Sequence, residues 1–188
     1  FTPRFKDWWT DARQSWAEEH CREAGLDPRW AMEAARLAHT GFSEPLALPG
    51  AAPVALRGLE RGRLLRELDF LAETEIGRLT GAVDALFEHE GRAFLLDWKS
   101  NRLPGYGAAE LDACMAEDYA LQVKVYTLAV LKALGILTEP DYEARFGGAV
   151  YVFLRGLPEG GVWSRRAPWA EIQAWRGEVA ALMEAAHG

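Results

Sequence analysis

The sequence predicts an α/β fold in which a short sheet is flanked by helices. Apolar residues recur at helical spacings over residues 4–40, at a spacing of two between residues 63 and 99, and at helical spacings again over 108–134. A near-continuous apolar run at 147–155 is typical of a strand that is buried on both faces. We therefore expect the order helices, three strands, helix, strand, helix.

The N-terminal region predicts two helices and a connector. Residues 4–24 carry an aromatic stripe that ends at a glycine, which predicts one amphipathic helix. Asp27 is an N-cap before a first-turn proline, so a second helix is expected from there to about Thr40. Prolines and a glycine across 43–53 predict an irregular connector.

The middle of the chain predicts the sheet. Alternating apolar residues favour strands at 63–71, 79–87 and 93–99. The turn-forming residues 88–91 join the last two strands as a hairpin.

One helix is expected before the buried strand at 147–155 in the sequence, and one after it. Residues 108–134 predict a helix with a break near Ala116, and residues 168–186 predict the last helix. The inward face of the first of these is expected to carry Leu121, Val125 and Leu128. We divide the chain into an N-terminal helical region with its connector, 1–54, and a core domain, 55–188.

Composition excludes several classes of protein. The chain of 188 residues is 49% hydrophobic and 26% charged, as in ordinary folded domains. Its net charge of −7 argues against a broad basic nucleic-acid surface. Two cysteines without a CxxC spacing cannot build a four-cysteine metal cluster, and no apolar run is long enough for a membrane span. We expect a cytoplasmic protein without a membrane partner, cut from a longer chain because it begins at Phe1.

The candidate chemistry lies around the predicted hairpin. Asp97 and Lys99 are two apart on a strand and share a face, whereas Trp98 points to the other face. The hairpin folds Asp84 back towards Asp97. Two carboxylates beside a lysine suit phosphodiester hydrolysis, because the carboxylates bind Mg²⁺ and the cation orients the attacking water. The alternative for these residues is a plain surface ion pair.

Other polar residues are candidates by position. Glu67 lies in the first predicted strand and offers a third carboxylate, although Asp69 shares its face and alternation does not separate the two. Gln122 and Tyr126 are four apart on a helix and form one polar stripe that suits contact with phosphate oxygens.

Four segments together resemble a known nuclease family. They are GAVD at 81–84, DWKSN at 97–101, YALQVKVYTLA at 119–129 and FGGAVYVFLRG at 146–156. In this order they resemble the RecB-type C-terminal nuclease domain of exodeoxyribonuclease V, the RecBCD helicase–nuclease, over about residues 16–165. That family belongs to the PD-(D/E)xK superfamily, which has a restriction-endonuclease-like core with a short mixed sheet.

The resemblance implies a role for each matching residue. Asp84 and Asp97 would ligate Mg²⁺, or Mn²⁺, together with the backbone carbonyl of Trp98, and Lys99 would be the catalytic lysine. Glu67 would support the metal or its water, while Gln122 and Tyr126 would contact DNA phosphate and orient the active-site groups. Tyrosine is common in the family where this chain has Trp98.

The resemblance also implies partners and one departure. The partners would be DNA, the helicase part of the same polypeptide and the other subunits of a RecBCD-like complex that repairs double-strand breaks by recombination. The family's metal-ligating histidine lies in a G-x-x-x-H helix that this sequence lacks, so we expect one metal ligand to be missing. His20, His39, His89 and His187 are interpreted as non-ligands. The alternative function is a non-cleaving DNA-binding or protein-interaction module of the same fold.

Overall fold

The computed structural model describes residues 4–60, 62–74 and 77–185. Within these ranges the chain forms seven α-helices, seven β-strands and three short 3₁₀ turns. The helices are α1 (Phe5–Trp8), α2 (Asp11–Glu23), α3 (Ala31–Ser43), α4 (Ala108–Asp118), α5 (Ala120–Ala133), α6 (Glu139–Arg145) and α7 (Trp169–Ala185). The strands are β1 (Leu46–Leu48), β2 (Ala51–Val54), β3 (Leu64–Thr74), β4 (Gly77–His89), β5 (Arg92–Lys99), β6 (Phe146–Phe153) and β7 (Val162–Arg165).

Strands β3 to β7 form one mixed sheet in the order β3-β4-β5-β6-β7, which confirms the α/β prediction. Its first three strands are antiparallel, β5 and β6 are parallel, and β7 is antiparallel to β6. The predicted hairpin is present, and Glu90 and Gly91 at its tip both have positive φ, as a two-residue turn of the I′ type requires. Strand β6 is buried at every residue, as its apolar run predicts.

Two apolar layers cover the faces of this sheet. On one face Leu95, Tyr151 and Phe153 pack with residues of α4 to α7, including Val123 and Ile172. On the other face Ala85, Phe87, Phe94, Leu96 and Val150 pack with Leu46, Leu48 and Leu56 from the N-terminal side of the chain. A smaller third cluster joins α1, α2 and α3 around Ala17, Cys21 and Ala35.

The N-terminal expectations need two corrections. The helix predicted over 4–24 is two helices, because the chain is extended at Trp9 and Thr10 and the Thr10 hydroxyl caps α2. The predicted connector at 43–53 contains the hairpin β1–β2, since Leu46 and Leu48 gain burial against the sheet despite the nearby prolines. No helix among the described residues is long and apolar enough to cross a bilayer.

The helix predicted over 108–134 breaks at Tyr119, not near Ala116. Tyr119 has φ −125° and ψ 2°, so it ends α4 and begins α5. The inward face of α5 also differs from the expected one, because Leu121 is 53% exposed while Val123, Thr127 and Val130 are buried. Turning the helix in this way directs Gln122 towards the end of β5. Helix α6 and edge strand β7 were not expected from the sequence.

The alternation of β3 and β4 changes phase at one position. Phe87 and Ala85 face the layer that contains Leu46, but Val83 faces the layer of α5. Glu67 lies opposite this point on β3 and has a φ of 53°, a left-handed conformation that is rare for a residue with a side chain. The irregularity occurs where Asp84 stands, between Val83 and Ala85.

Candidate active site

Strand β5 places an acidic and a basic side chain on one buried face. Asp97 is 3% exposed and Lys99 is 8% exposed, and the lysine Nζ lies 2.6 Å from Asp97 Oδ2. Trp98 points to the opposite face, where its ring packs against Phe42 with centroids 5.5 Å apart. The directions predicted from alternation are therefore those of the structure.

Asp84 is brought to the same end of β5 through a backbone contact. The β4–β5 pairing ends at Ala85 and Leu96. Asp84 immediately precedes Ala85 on β4. Its carboxylate accepts a hydrogen bond of 2.7 Å from the backbone N–H of Trp98. A carboxylate thus takes the place of a strand carbonyl, and it is held beside the residue that follows Asp97.

Burial controls the charge of Asp97. Removal of the carboxyl group from water raises its pKa above the ordinary value, and the neighbouring Asp84 charge raises it further, whereas Lys99 lowers it. The raised pKa shows that one lysine does not fully compensate for burial beside a second carboxylate. Oδ2 is close to Lys99 in distance but has no hydrogen bond of acceptable geometry within the described ranges. A buried oxygen with spare lone pairs is well suited to a cation.

The Lys99 ammonium group is enclosed by side chains from three elements. Besides Asp97, it donates to Gln122 Oε1 of α5 at 2.8 Å. It lies 4.0 Å from the ring centroid of Tyr119 and 5.3 Å from that of Tyr151 on β6. Gln122 is therefore placed at the site, though its partner is the lysine.

Three predicted residues stand further from the lysine. Tyr126 packs edge-on against Phe70 of β3, with centroids 5.5 Å apart. Glu67 is exposed and occupies the β3 position opposite Asp84, whereas Asp69 pairs with Ala82, two residues further from Asp84. The register makes Glu67 the nearer of the two carboxylates.

The donors at the end of β5 fit a hard divalent cation in part. Asp84 and Asp97 offer carboxylate oxygens, and Asp97 Oδ2 already lies 2.6 Å from Lys99 Nζ, with which a cation would share it. In the described ranges, no group of three or more His, Cys, Asp or Glu side chains is placed to hold a metal ion. Two carboxylates are a sparse set of ligands, so a divalent cation bound to them would keep several of its waters.

The histidines have other surroundings. His20 Nδ1 lies 3.0 Å from the carbonyl oxygen of Trp16, and His89 lies at the hairpin tip beside Glu90. His39 packs against Phe5 and Trp8, and burial lowers its pKa. His187 lies outside the described residues. That these histidines are not ligands stays a prediction.

Sequence reasoning missed two tyrosines at this site. Tyr119 lies beneath Lys99, and Tyr151 is the β6 partner of Asp97, with a fully buried hydroxyl that has no hydrogen-bond partner in the described ranges. Burial raises the pKa of Tyr151, so its hydroxyl stays protonated. Tyr119 and Gln122 are three residues apart. This spacing puts both on the same side of a helix and could have predicted Tyr119 at the site.

Comparison with known proteins shows the family of this chain. Residues 4–188 match the PD-(D/E)XK nuclease superfamily. The chain is 40% identical over 117 residues to the RecBCD enzyme subunit RecB of Escherichia coli (strain K12), a match that covers 57% of this chain and 10% of that protein. The same subunit of Haemophilus influenzae (strain ATCC 51907 / DSM 11121 / KW20 / Rd) is 36% identical over 99 residues, covering 48% of this chain and 8% of that protein.

These matches differ greatly in how much of each protein they cover. The chain spans about a tenth or less of the length of these RecB relatives, whereas the superfamily match covers nearly all of the chain. The mixed five-stranded sheet flanked by helices is the fold of that superfamily. The chain therefore belongs to the PD-(D/E)XK nuclease superfamily.

Proposed function

We propose that this domain hydrolyses DNA phosphodiester bonds with Mg²⁺, or Mn²⁺, as its cofactor. The observation that carries the proposal is the buried Asp97–Lys99 pair beside Asp84. Burying two charges costs free energy, and replacing such a pair by apolar residues often stabilises a protein. A costly charged group that is kept next to a second carboxylate is more simply explained by chemistry than by folding.

Each side chain has a distinct part in this proposal. Asp84, Asp97 and the Trp98 carbonyl would hold the metal ion, which supplies a polarised water and neutralises phosphate charge. Lys99 orients the attacking water and stabilises the charge that develops on phosphate oxygens. Glu67 would support the metal or its water. Gln122 and Tyr126 would contact DNA phosphate and orient the active-site groups, Gln122 through its hydrogen bond with Lys99.

The RecB relatives suggest the setting of this activity. We propose that the domain acts as a deoxyribonuclease of the exodeoxyribonuclease V type, within a RecBCD-like complex that repairs double-strand breaks by recombination. Its partners would be DNA, the helicase part of the same polypeptide and the other subunits. The chain contains no GxxxxGK[ST] motif, so ATP would bind outside it.

Cleavage of linear DNA tests the proposal directly. The chain is incubated at low salt with Mg²⁺, Mn²⁺ or Ca²⁺, and its melting temperature is measured in the same buffers to report metal binding. Because one metal ligand is expected to be missing, we expect only slow cleavage with Mg²⁺ and Mn²⁺. Ca²⁺ is expected to bind without cleavage, because its longer and looser coordination misplaces the water. Asp97→Ala is expected to lose both cleavage and the metal-dependent rise in melting temperature.

The lysine variants separate catalysis from metal binding. Lys99→Ala is expected to lose cleavage but to keep the metal-dependent rise in melting temperature, because the lysine is not a ligand. Lys132→Ala, at an exposed position of α5, is the matched control and is expected to behave as the wild type. Cleavage by Lys99→Ala at the wild-type rate contradicts the proposal. DNA binding without cleavage under any of these metals, also by a form extended N-terminally with a histidine helix, supports the non-cleaving alternative.

A further inference from the structure

Tyr119 touches the ammonium group of Lys99 and also the segment that follows it. The ring centroid lies 4.0 Å from Nζ, which is within the range of a strong cation–π contact. The Tyr119 hydroxyl donates to Asn101 Oδ1 at 2.9 Å, two residues beyond the lysine. The Tyr119 side chain therefore contacts both the ammonium group of Lys99 and the side chain of Asn101, in the segment that follows β5.

The ring of Tyr119 is itself held in place. It packs against Tyr151 and Phe153 of β6, with both centroid separations at 6.4 Å. Its backbone is the junction of α4 and α5, so its position is fixed by two helices. A ring that is fixed before substrate arrives holds a cation at little further entropic cost.

The contacts of Lys99 come from its own strand, from the α4–α5 side and, at a longer distance, from Tyr151 of β6. Asp97 belongs to the same strand and is a proposed metal ligand, so a bound cation would compete with Lys99 for its lone pairs. Gln122 and Tyr119 belong to the α4–α5 side and are free of that competition. With Lys99 8% exposed, its cation–π contact is poorly screened by water and correspondingly strong.

We infer that Tyr119 is a positioning residue for Lys99, its ring holding the ammonium group where the lysine acts on water and phosphate. This inference rests on the proposed function, in which Lys99 is catalytic. The ring, and not the hydroxyl, is the part that matters for the rate. The hydroxyl holds the side chain of Asn101, whose carbonyl oxygen also accepts from the Tyr106 hydroxyl. The preceding Ser100 carbonyl oxygen accepts from Arg155.

Two substitutions separate the ring from the hydroxyl. Tyr119→Phe keeps the aromatic face and removes the bond to Asn101, whereas Tyr119→Leu removes both. Tyr142→Phe is the control for lost stability, because it removes a buried hydrogen bond to the Ala167 carbonyl on the far side of the fold. For each variant, kcat and KM for linear DNA are measured with Mg²⁺, well below the melting temperature.

A spectroscopic readout reports the lysine without any turnover. The chain has four lysines, and a side chain over an aromatic face shows ring-current-shifted Cε–Hε signals in a ¹H–¹³C correlation spectrum. The Lys99 signal is assigned from its absence in Lys99→Arg. It is expected to stay shifted in the wild type, Tyr119→Phe and Tyr142→Phe. In Tyr119→Leu it is expected to keep only the smaller shift from the Tyr151 ring, whose centroid is 5.3 Å from Nζ.

The kinetic expectation follows from the same contact. Tyr119→Leu is expected to lower kcat by roughly threefold to thirtyfold with KM unchanged, while Tyr119→Phe stays within about twofold of the wild type. A Leu variant with wild-type kcat, or a Phe variant as slow as the Leu variant, overturns the inference. If no form cleaves DNA, the proposed function fails, and an unshifted Lys99 signal in the wild type then overturns the positioning contact separately.

Discussion

The Lys99 ammonium group compensates in part for the burial of Asp97, and its removal is expected to destabilise the fold. Lys99→Ala leaves the Asp97 carboxylate buried beside Asp84 with no cation. Breaking a buried pair in this way costs about 3–5 kcal/mol. We expect the free energy of unfolding of the metal-free protein to fall by about that amount near pH 7, as measured by urea denaturation.

The free energy of unfolding that Lys99→Ala loses is expected to be smaller in acid. Burial already raises the pKa of Asp97, so the native state binds this proton more tightly than the unfolded chain does. Stability from this group is present at low pH and is lost as pH rises from the ordinary aspartate value through the raised one. Without Lys99 the pKa is higher still, and the loss extends further towards neutral pH. An equal cost at about pH 5 and about pH 7 contradicts this explanation.

A neutral double variant serves as the control. Asp97→Asn with Lys99→Met keeps similar volumes and removes both charges. Because desolvation of both ions is then avoided, we expect it to be at least as stable as the wild type.

The sequence could predict the direction of side chains on a strand but not their neighbours across the fold. Asp97, Trp98 and Lys99 point as alternation requires. Tyr119 reaches Lys99 because the helix breaks at that residue, and no apolar pattern marks the break. Asp84 contacts the Trp98 N–H because β4 leaves its ladder there, which depends on the pairing of three strands.

At the scale of elements, the packing of strand β6 depends on Gly147, a glycine that lies within the strand and not in a turn. Gly147 lies beneath the Phe94 ring of the neighbouring strand, and an added Cβ would overlap that fully buried ring. We expect Gly147→Ala to lower the free energy of unfolding by about 1–3 kcal/mol, because a close-packed core resists added volume.

Gly177 gives the opposite expectation within the same chain. It lies in α7, is exposed, and an added Cβ would contact nothing within 4 Å. Neither glycine has a positive φ, so backbone strain does not separate them. Gly177→Ala should raise the free energy of unfolding by about 1 kcal/mol through helix propensity. Thermal melts of the two variants check the pair, and a stabilised Gly147→Ala contradicts the packing argument.

The elements that were not predicted from the sequence are short, and their conformation depends on contacts with the main sheet. Strand β7 has four residues, of which none is fully buried, and forms because β6 offers an unpaired edge. The hairpin β1–β2 lies among prolines, and Leu46 is fully buried because the sheet is beneath it. Local propensity is weak in both segments, so tertiary contacts decide their conformation.

For the molecule as a whole, the division at residue 54 stays a prediction, and truncation tests it. Helices α1 and α2 pack in the small third cluster with the start of α3. By contrast, Leu46 and Leu48 are buried in the layer that covers Phe94 and Val150 of the main sheet. We therefore expect a chain that starts at Pro28 to fold cooperatively, and a chain that starts at Ala55 to fail.

The magnitude of the lost burial supports this expectation. Removing a buried leucine from a core costs about 2–5 kcal/mol, and domains of this kind have about 5–15 kcal/mol of total stability. A chain starting at Ala55 loses Leu46 and Leu48 and also uncovers Trp98, which packs against Phe42 of α3. The summed cost of losing these contacts is comparable with the total free energy of unfolding. Loss of α1 and α2, by contrast, uncovers mainly the outer side of α3. Circular dichroism melts of both truncations and of the full chain decide the matter. A chain starting at Ala55 that melts cooperatively near the full-length temperature would place the domain boundary at residue 54 and contradict this prediction.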